Sequence, residues 1–370
     1  MQVSTIIKLL LELAPTHLSL EGDPTGLQIG SLKKEVENVL VALDYSRGVF
    51  EEAVQKEANL IITHHPVIFK PLDRVEADSP LGSLIYDTVK KDINVYSLHT
   101  NLDIAEEGVN KRLADLLGLE KQRVLKPTYR EKIYKIVVFI PEGYEDKVKD
   151  AMTEKGAGWI GNYSHCTFSL EGRGTFKPLE GTDPFRGEKG KVKEVSEIRL
   201  ETAVIEEKKE GVIDSMIKAH PYEEVAYDLY PVENRWKTFG LGLTGILPRE
   251  KPLGELVKDL KKELGIDRVR VVGTNTDTVK KVALCGGSGG DLVEKAASQG
   301  ADLFITGDLK YHQAQEAQGL GLSVIDAGHD SLEKVIVPYL VDYLKDRLKE
   351  SNFQNRVILS EVNTSPCNIW

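Results

Sequence analysis

Two adjacent histidines, His64 and His65, follow the apolar run Asn59-Leu60-Ile61-Ile62-Thr63, and three further polar clusters repeat that placement. His99-Thr100-Asn101-Leu102-Asp103, Gly307-Asp308 and Asp326-Ala327-Gly328-His329 each follow a short apolar run of the same kind. Neighbouring side chains at a strand terminus point to opposite faces. One ion would therefore struggle to use both His64 and His65, whereas two ions a few ångströms apart could take one each. His329 and Glu333 are four apart at a helix start, so they share a face. Asp103 adds a second carboxylate from a separate loop. The set His64, His65, Asp103, His329 and Glu333 offers the mixed nitrogen and oxygen ligands that suit Zn, Mn, Fe or Co better than Ca or Mg. Each part has a blander reading: a lone His-His pair is more often a surface or cap feature, and Glu333 could be an ordinary first-turn carboxylate. The combination at strand ends is what points to metal.

The elements that must deliver these groups are legible as well. Residues 39–43, 59–63 and 93–98 are continuous apolar runs of the kind taken by strands buried on both faces, and residues 49–57 and 84–91 between them have helical spacing. A block from residue 237 repeats the rhythm with strands over 282–285, 303–306 and 323–326. A helix is expected over 291–299, and a last one starts near Ser331 and passes through Pro338, where a kink could occur. Strands separated by single helices imply right-handed βαβ units and a mostly parallel sheet, with ligands bound beyond the carboxyl ends of the strands. Residues 130–236 read differently: a strand over 134–140, a helix over 145–155, a Gly/Pro-rich loop over 172–190, alternation over 192–200, a helix over 211–219 and a Tyr-rich strand over 225–230. That order suggests a ferredoxin-like α+β insert. The outer blocks, 1–129 and 237–370, would then form one discontinuous α/β domain, because the ligands are split between its two ends.

Several segments carry two readings. Gly286-Gly287-Ser288-Gly289-Gly290 is either a phosphate cradle or a tight turn needing positive φ; it fits neither GxxxxGK[ST] nor GxGxxG. Cys285 reads as core filling. His220-Pro221-Tyr222-Glu223-Glu224 is a site or a helix stop followed by a strand edge. The absence of a Gly-x-Ser-x-Gly elbow argues against an ordinary serine hydrolase.

Composition narrows the partners. A formal net charge of -10 repels phosphate backbones, so bulk binding of nucleic acid or an anionic membrane is not expected. Three cysteines without a CxxC pair exclude a disulfide scaffold and a thiolate zinc finger, and fit a reducing cytoplasm. No apolar stretch is long enough to span a bilayer, and Met1-Gln2-Val3-Ser4-Thr5 lacks the basic start of a signal peptide.

With these clusters assembled, the chain resembles the Nif-three-like family, also called the GTP cyclohydrolase I type 2 family. Gly26-Leu27-Gln28-Ile29-Gly30, Ile61 to Pro66, Ser97 to Asp103, Gly108-Val109-Asn110, Gly286 to Gly289, Ile305 to Asp308 with His312, and Asp326 to His329 with Glu333 carry the likeness. It implies a three-layer α/β core with two divalent ions, often in a ring-shaped homohexamer, with Glu333 bridging the ions. It brings His99 and His312 in as catalytic groups, as supports that orient the metal ligands or as substrate contacts, and GTP as a nucleotide substrate opened with loss of formate toward dihydroneopterin triphosphate. The insert resembles nitrogen-regulatory and cation-tolerance proteins through Gly172-Arg173-Gly174-Thr175-Phe176 and the 220–224 segment. Two departures touch no ligand: Gly22-Asp23-Pro24-Thr25 stands where a Trp-Asp-Asn stretch is common, and Asp330-Ser331-Leu332 where an aromatic is frequent. Rival readings are a nucleotide or phosphoester hydrolase on the same ions, and a non-catalytic metal-binding regulatory scaffold.

Overall fold

The structure is a computed structural model that describes residues 1–234, 236–273, 277–351, 353 and 356–367. The chain divides into two compact units, Met1–Tyr129 with Phe239–Trp370, and Arg130–Thr238.

In the discontinuous unit the buried runs form strands in two sheets rather than one. The first has the spatial order Gly26–Ile29, Asn94–Ser97, Leu60–Thr63, Asn38–Ala42, Arg356–Leu359. The second runs Arg270–Val272, Ser323–Asp326, Leu303–Gly307, Thr278–Ser288, Thr238–Pro252, Glu120–Arg130. The hearts of both are parallel, as the helical spacing between those runs requires. Gly26–Ile29, Arg270–Val272 and Thr238–Pro252 each pair antiparallel with a neighbour. Two of the short edge strands, Gly26–Ile29 and Arg270–Val272, went unread because neither is a continuous buried run: Arg270 and Val271 are exposed, and Gly26 to Gln28 are half-buried.

Alternation along the parallel strands divides the core. Leu40, Ala42, Ile61 and Val95 pack with Val49, Phe50, Leu84 and Ile85 of helices Arg47–Gln55 and Pro80–Lys90. Ser46 and Ser79 cap those helices by accepting from the amides of Val49 and Gly82. On the far side of the second sheet, Ala283, Cys285, Phe304 and Val324 pack with Leu292, Val293 and Ala317. Cys285 is core filling, and burial raises its thiol pKa, which keeps it un-ionised. The remaining faces of both sheets meet in one cluster. Val39, Val41, Leu60 and Ile62 of the first and Leu284, Leu303, Ile305 and Ile325 of the second share it with Ile6, Leu10, Leu113, Leu256 and Leu340. Full burial of each such side chain is worth roughly 1.5–3 kcal/mol, so this shared core ties the early and late halves of the chain together.

The last helical region is two helices, His329–Glu333 and Ile336–Glu350. Pro338 falls in the first turn of the second, where its missing N–H has no intrahelical acceptor to lose.

The unit Arg130–Thr238 has the chain order strand, helix, two strands, helix, strand, and one sheet ordered Thr167–Phe176, Lys193–Ile205, Ile133–Pro141, Tyr227–Val232. Every neighbour pair is antiparallel. Part of the expected loop, from Gly172 to Phe176, is strand. Helices Glu145–Glu154 and Glu206–Ala219 cover one face through Val148, Met152, Val212 and Met216.

Candidate metal centre

Register aligns the carboxyl ends of the parallel strands: Thr63 pairs with Ser97 in one sheet and Thr306 with Asp326 in the other. Leu60–Thr63 therefore ends at His64 and His65, and Asn94–Ser97 leads through His99 into the short helix Thr100–Ile104 that carries Asp103. Ser323–Asp326 leads into His329–Glu333. His64, His65 and Glu333 form a candidate metal-binding group, with one ligand atom from each lying within 4.8 Å of the others. Asp103 stands 3.7 Å from Nε2 of His64, and His329 places Nε2 3.1 Å from Oε2 of Glu333. The five residues chosen from spacing thus meet.

Hydrogen bonding determines which nitrogen each ring presents. Nδ1 of His64 donates to the carbonyl of Leu98 (2.8 Å), Nδ1 of His65 to Asp44 (2.7 Å), and Nδ1 of His329 to Asp308 (2.8 Å). A carbonyl or carboxylate oxygen only accepts, so in a neutral ring Nε2 holds a lone pair. Those lone pairs converge. Nε2 of His65 and His329 are 3.2 Å apart, and Oε2 of Glu333 sits 2.9 Å from the first. Nε2 of His64, Oδ1 of Asp103 and Oε2 of Glu333 are buried without a hydrogen-bond partner. Acceptors this close repel one another unless a cation lies among them, and an orphaned buried carboxylate costs several kcal/mol. The donor set fits divalent metal held by imidazole nitrogen and carboxylate oxygen, each ring braced through Nδ1.

Without metal, protons must serve as the cation. Burial opposes charge on His65, but Asp44 and Glu333 outweigh it and push its pKa up to about 10. Glu333 raises His329 to about 9 against its burial, with help from Asp308. Burial would lift Glu333, yet the neighbouring rings, His64 first and then His329 and His65, hold it well below the carboxylate range. Burial raises Asp103 to about 6.

The sign follows. A raised folded-state pKa contributes stability that is complete below the ordinary histidine value of 6.5 and disappears as pH climbs through about 9 to 10. In chelator, the thermal midpoint should fall across that window. In metal it should instead fall toward acid pH, where protons displace the ions. A chelated protein with a flat midpoint from about pH 6 to about 10 would refute this protonation scheme.

Glycine and asparagine complete the cradle. A methyl group at Gly287, whose φ is +64°, would overlap Oε1 of Glu333. The glycine run is therefore a tight turn laid against the carboxylate of Glu333, a candidate ligand. Asn110 donates to the carbonyl of Asp103 and accepts from the amide of Gly286, 2.9 Å each, joining the two loops.

Comparison with known proteins places the arrangement. The model of Duf34/NIF3 (NGG1p interacting factor 3) matches residues 1–366. The chain belongs to this family. Within it, a Halalkalibacterium halodurans protein named GTP cyclohydrolase 1 type 2 homolog is 44% identical over 362 residues, covering 98% of this chain and 97% of that protein. A Bacillus subtilis protein of the same name is 45% identical over 361 residues, or 98% and 96%. The crystal structure of a Bacillus cereus protein related to NIF3 superposes with a TM-score of 0.94 at 43% identity, covering 100% of this chain and 99% of that one.

Against this NIF3 frame, the two other histidines separate. His99 lies tilted beside the candidate ligands, its ring centroid 5.5 Å from His64 and 5.7 Å from His65, and its Nδ1 bonds Asp23 at 2.5 Å. Asp23 is drawn down to about 2 despite burial, chiefly by His99, then Thr100. His312 is exposed and its contacts are Tyr311 and Gln315; among the described residues no hydrogen bond, ion pair or ring contact joins it to the cluster. Asp44 was not singled out from sequence, and Asn110, Asp23 and Asp308 were noticed without a role. Single aspartates and asparagines leave no periodic trace; only their proximity to strand ends could have marked them.

Proposed function

We propose that the chain is a dinuclear metal-dependent hydrolase acting on GTP, of the GTP cyclohydrolase 1 type 2 kind that its relatives' names express. The observation that carries this reading is the convergence of three Nε2 lone pairs and two carboxylates, with His65 and His329 opening onto a cleft. That cleft, of about 700 Å3, is lined by His65, His329, Asp44 and Asp308 on the metal side and by Arg268 and Arg270 on its wall. Arg270 donates to Asp326 and to the carbonyl of Leu309, so the phosphorylated substrate in this reading comes from the relatives' names. His64 and Asp103 would hold one ion, His65 and His329 the other, and Glu333 both. Two such ions lower the pKa of water toward neutrality and stabilise developing negative charge.

The protein's own groups then have defined tasks. Asp44, Asp308 and the Leu98 carbonyl keep the rings aimed inward. His99, held through Nδ1 by Asp23, has Nε2 left to carry a proton to or from the reacting nucleotide. In the GTP reaction water adds at C8, the imidazole ring opens, and a second water releases that carbon as formate. The same reading makes the protein a cytoplasmic homohexamer. Among the described residues no helix is long and apolar enough to cross a membrane.

The test is turnover by the full chain reconstituted separately with Mn, Zn, Fe and Co, over a nucleotide panel. Formate from GTP is the expected product. Phosphate without formate would replace the cyclohydrolase reading with nucleotide or phosphoester hydrolysis. Tight metal binding with neither product would leave a regulatory scaffold.

A further inference from the structure

The unit Arg130–Thr238 contains a cavity of about 410 Å3 that the metal chemistry does not use. Its size falls in the range of small-molecule sites. Phe176, Phe185 and Tyr222 form an aromatic wall, with Tyr222 at a centroid distance of 6.0 Å from each of the other two. Tyr222 is locked in place. Nε2 of the buried His220 donates to the carbonyl of Phe139 (3.0 Å), and Nδ1 accepts from the amide of Tyr222 (3.1 Å). The 220–224 segment is thus both a helix stop and the brace of a pocket.

The polar lining mixes the carboxylates of Glu197, Glu223 and Glu224 with the cations Lys177 and Arg186. Glu197 accepts from the Tyr222 hydroxyl at 3.2 Å, and among the described residues it has no ion-pair partner. Its other oxygen, Oε2, lies in space that a side chain at 174 would fill: a methyl group on Gly174 would overlap it. Gly174 has an ordinary φ and stands inside strand Thr167–Phe176, where glycine weakens the strand. The space it leaves is taken by the carboxylate. Glu223 spends both oxygens on the amide of Asp183, 3.0 Å each, pinning the loop over the cavity. Aromatic faces attract cations, and a carboxylate edge prefers two parallel N–H donors.

We propose that this cavity binds a flat small molecule with paired N–H donors on a delocalised edge, an amidinium or the amide–amino edge of a guanine-type ring, with Glu197 as the acceptor. The site is independent of the metal centre, so its failure and that of the hydrolase reading are separable.

Benzamidine is the probe, titrated calorimetrically into the full chain with chelator present. It should saturate, and neutral benzamide should bind at least about tenfold more weakly, the loss of one charge-assisted bond. Glu197→Gln should cost about the same factor, and Gly174→Ala should weaken binding by pushing the carboxylate aside, both at an unchanged thermal midpoint. Guanosine displacing bound benzamidine would identify a ring ligand, and N-acetylarginine amide an alkylguanidinium. Displacement by neither, equal binding of benzamide, or a Glu197→Gln affinity within about twofold of the native chain would overturn the proposal. The benzamide comparison needs no variant, so a misfolded mutant cannot shield the idea.

Discussion

Glu333→Gln is expected to empty the metal centre. Glu333 alone touches both halves of the cluster, with Oε1 3.6 Å from Nε2 of His64 and Oε2 within 3.1 Å of Nε2 of His65 and His329. Glutamine keeps the volume but removes the charge that two divalent ions would share, and its amide nitrogen turns a donor toward them. Metal content by elemental analysis should fall to about a tenth or less of the native stoichiometry, and any metal-dependent turnover by about a thousandfold. A second readout needs no metal. The carboxylate also raises His329 and, together with Asp44, His65. In chelator, the variant should therefore lose much of the stability decline between about pH 7 and about pH 10 that the native chain shows. Native metal content in Glu333→Gln would remove the residue from the site.

Gly287→Ala should do nearly as much damage from outside the ligand set. Two effects act together. Alanine in a left-handed conformation costs about 1 kcal/mol, and its methyl group must displace Oε1 of Glu333. Gly321 separates them, since its φ is +69° and nothing lies within 4 Å of a methyl built there. Both variants should lower the thermal midpoint by a few degrees. Only Gly287→Ala should weaken metal binding, by at least about tenfold, because the carboxylate cannot keep its position. Equal metal affinities in the two variants would show that the turn merely reverses the chain.

These expectations draw unequally on sequence. His64, His65, Asp103, His329 and Glu333 could be chosen because strand ends and i,i+4 spacing are local properties, written in a few residues each. The glycine run could not be resolved the same way: a phosphate cradle and a tight turn have the same composition, and the choice depends on what stands opposite Gly287. Cys285 was readable as core because it lies within a continuous apolar run. The edge strands Gly26–Ile29 and Arg270–Val272 were not, since half-exposed pairing leaves no hydrophobic period. His99 and His312 looked alike, both being drawn in by the motifs of the family resemblance. Burial parted them: His99 lies against the ligand rings, and His312 lies on an exposed helix turn.

By itself, then, the sequence determined the parts: ligand types with affinity for first-row metals, apolar runs that must become buried parallel strands, and an insert of different rhythm between them. The tertiary structure decided their assembly. His65 and His329 meet although 264 positions separate them, because alternate faces of two sheets can leave water only by packing into one shared core. It also chose the bracing. Asp44, Asp308 and Asp23 each hold a ring through Nδ1 across at least 21 residues of chain. Such a contact depends on where the backbone returns in space, and no local pattern of residues encodes that.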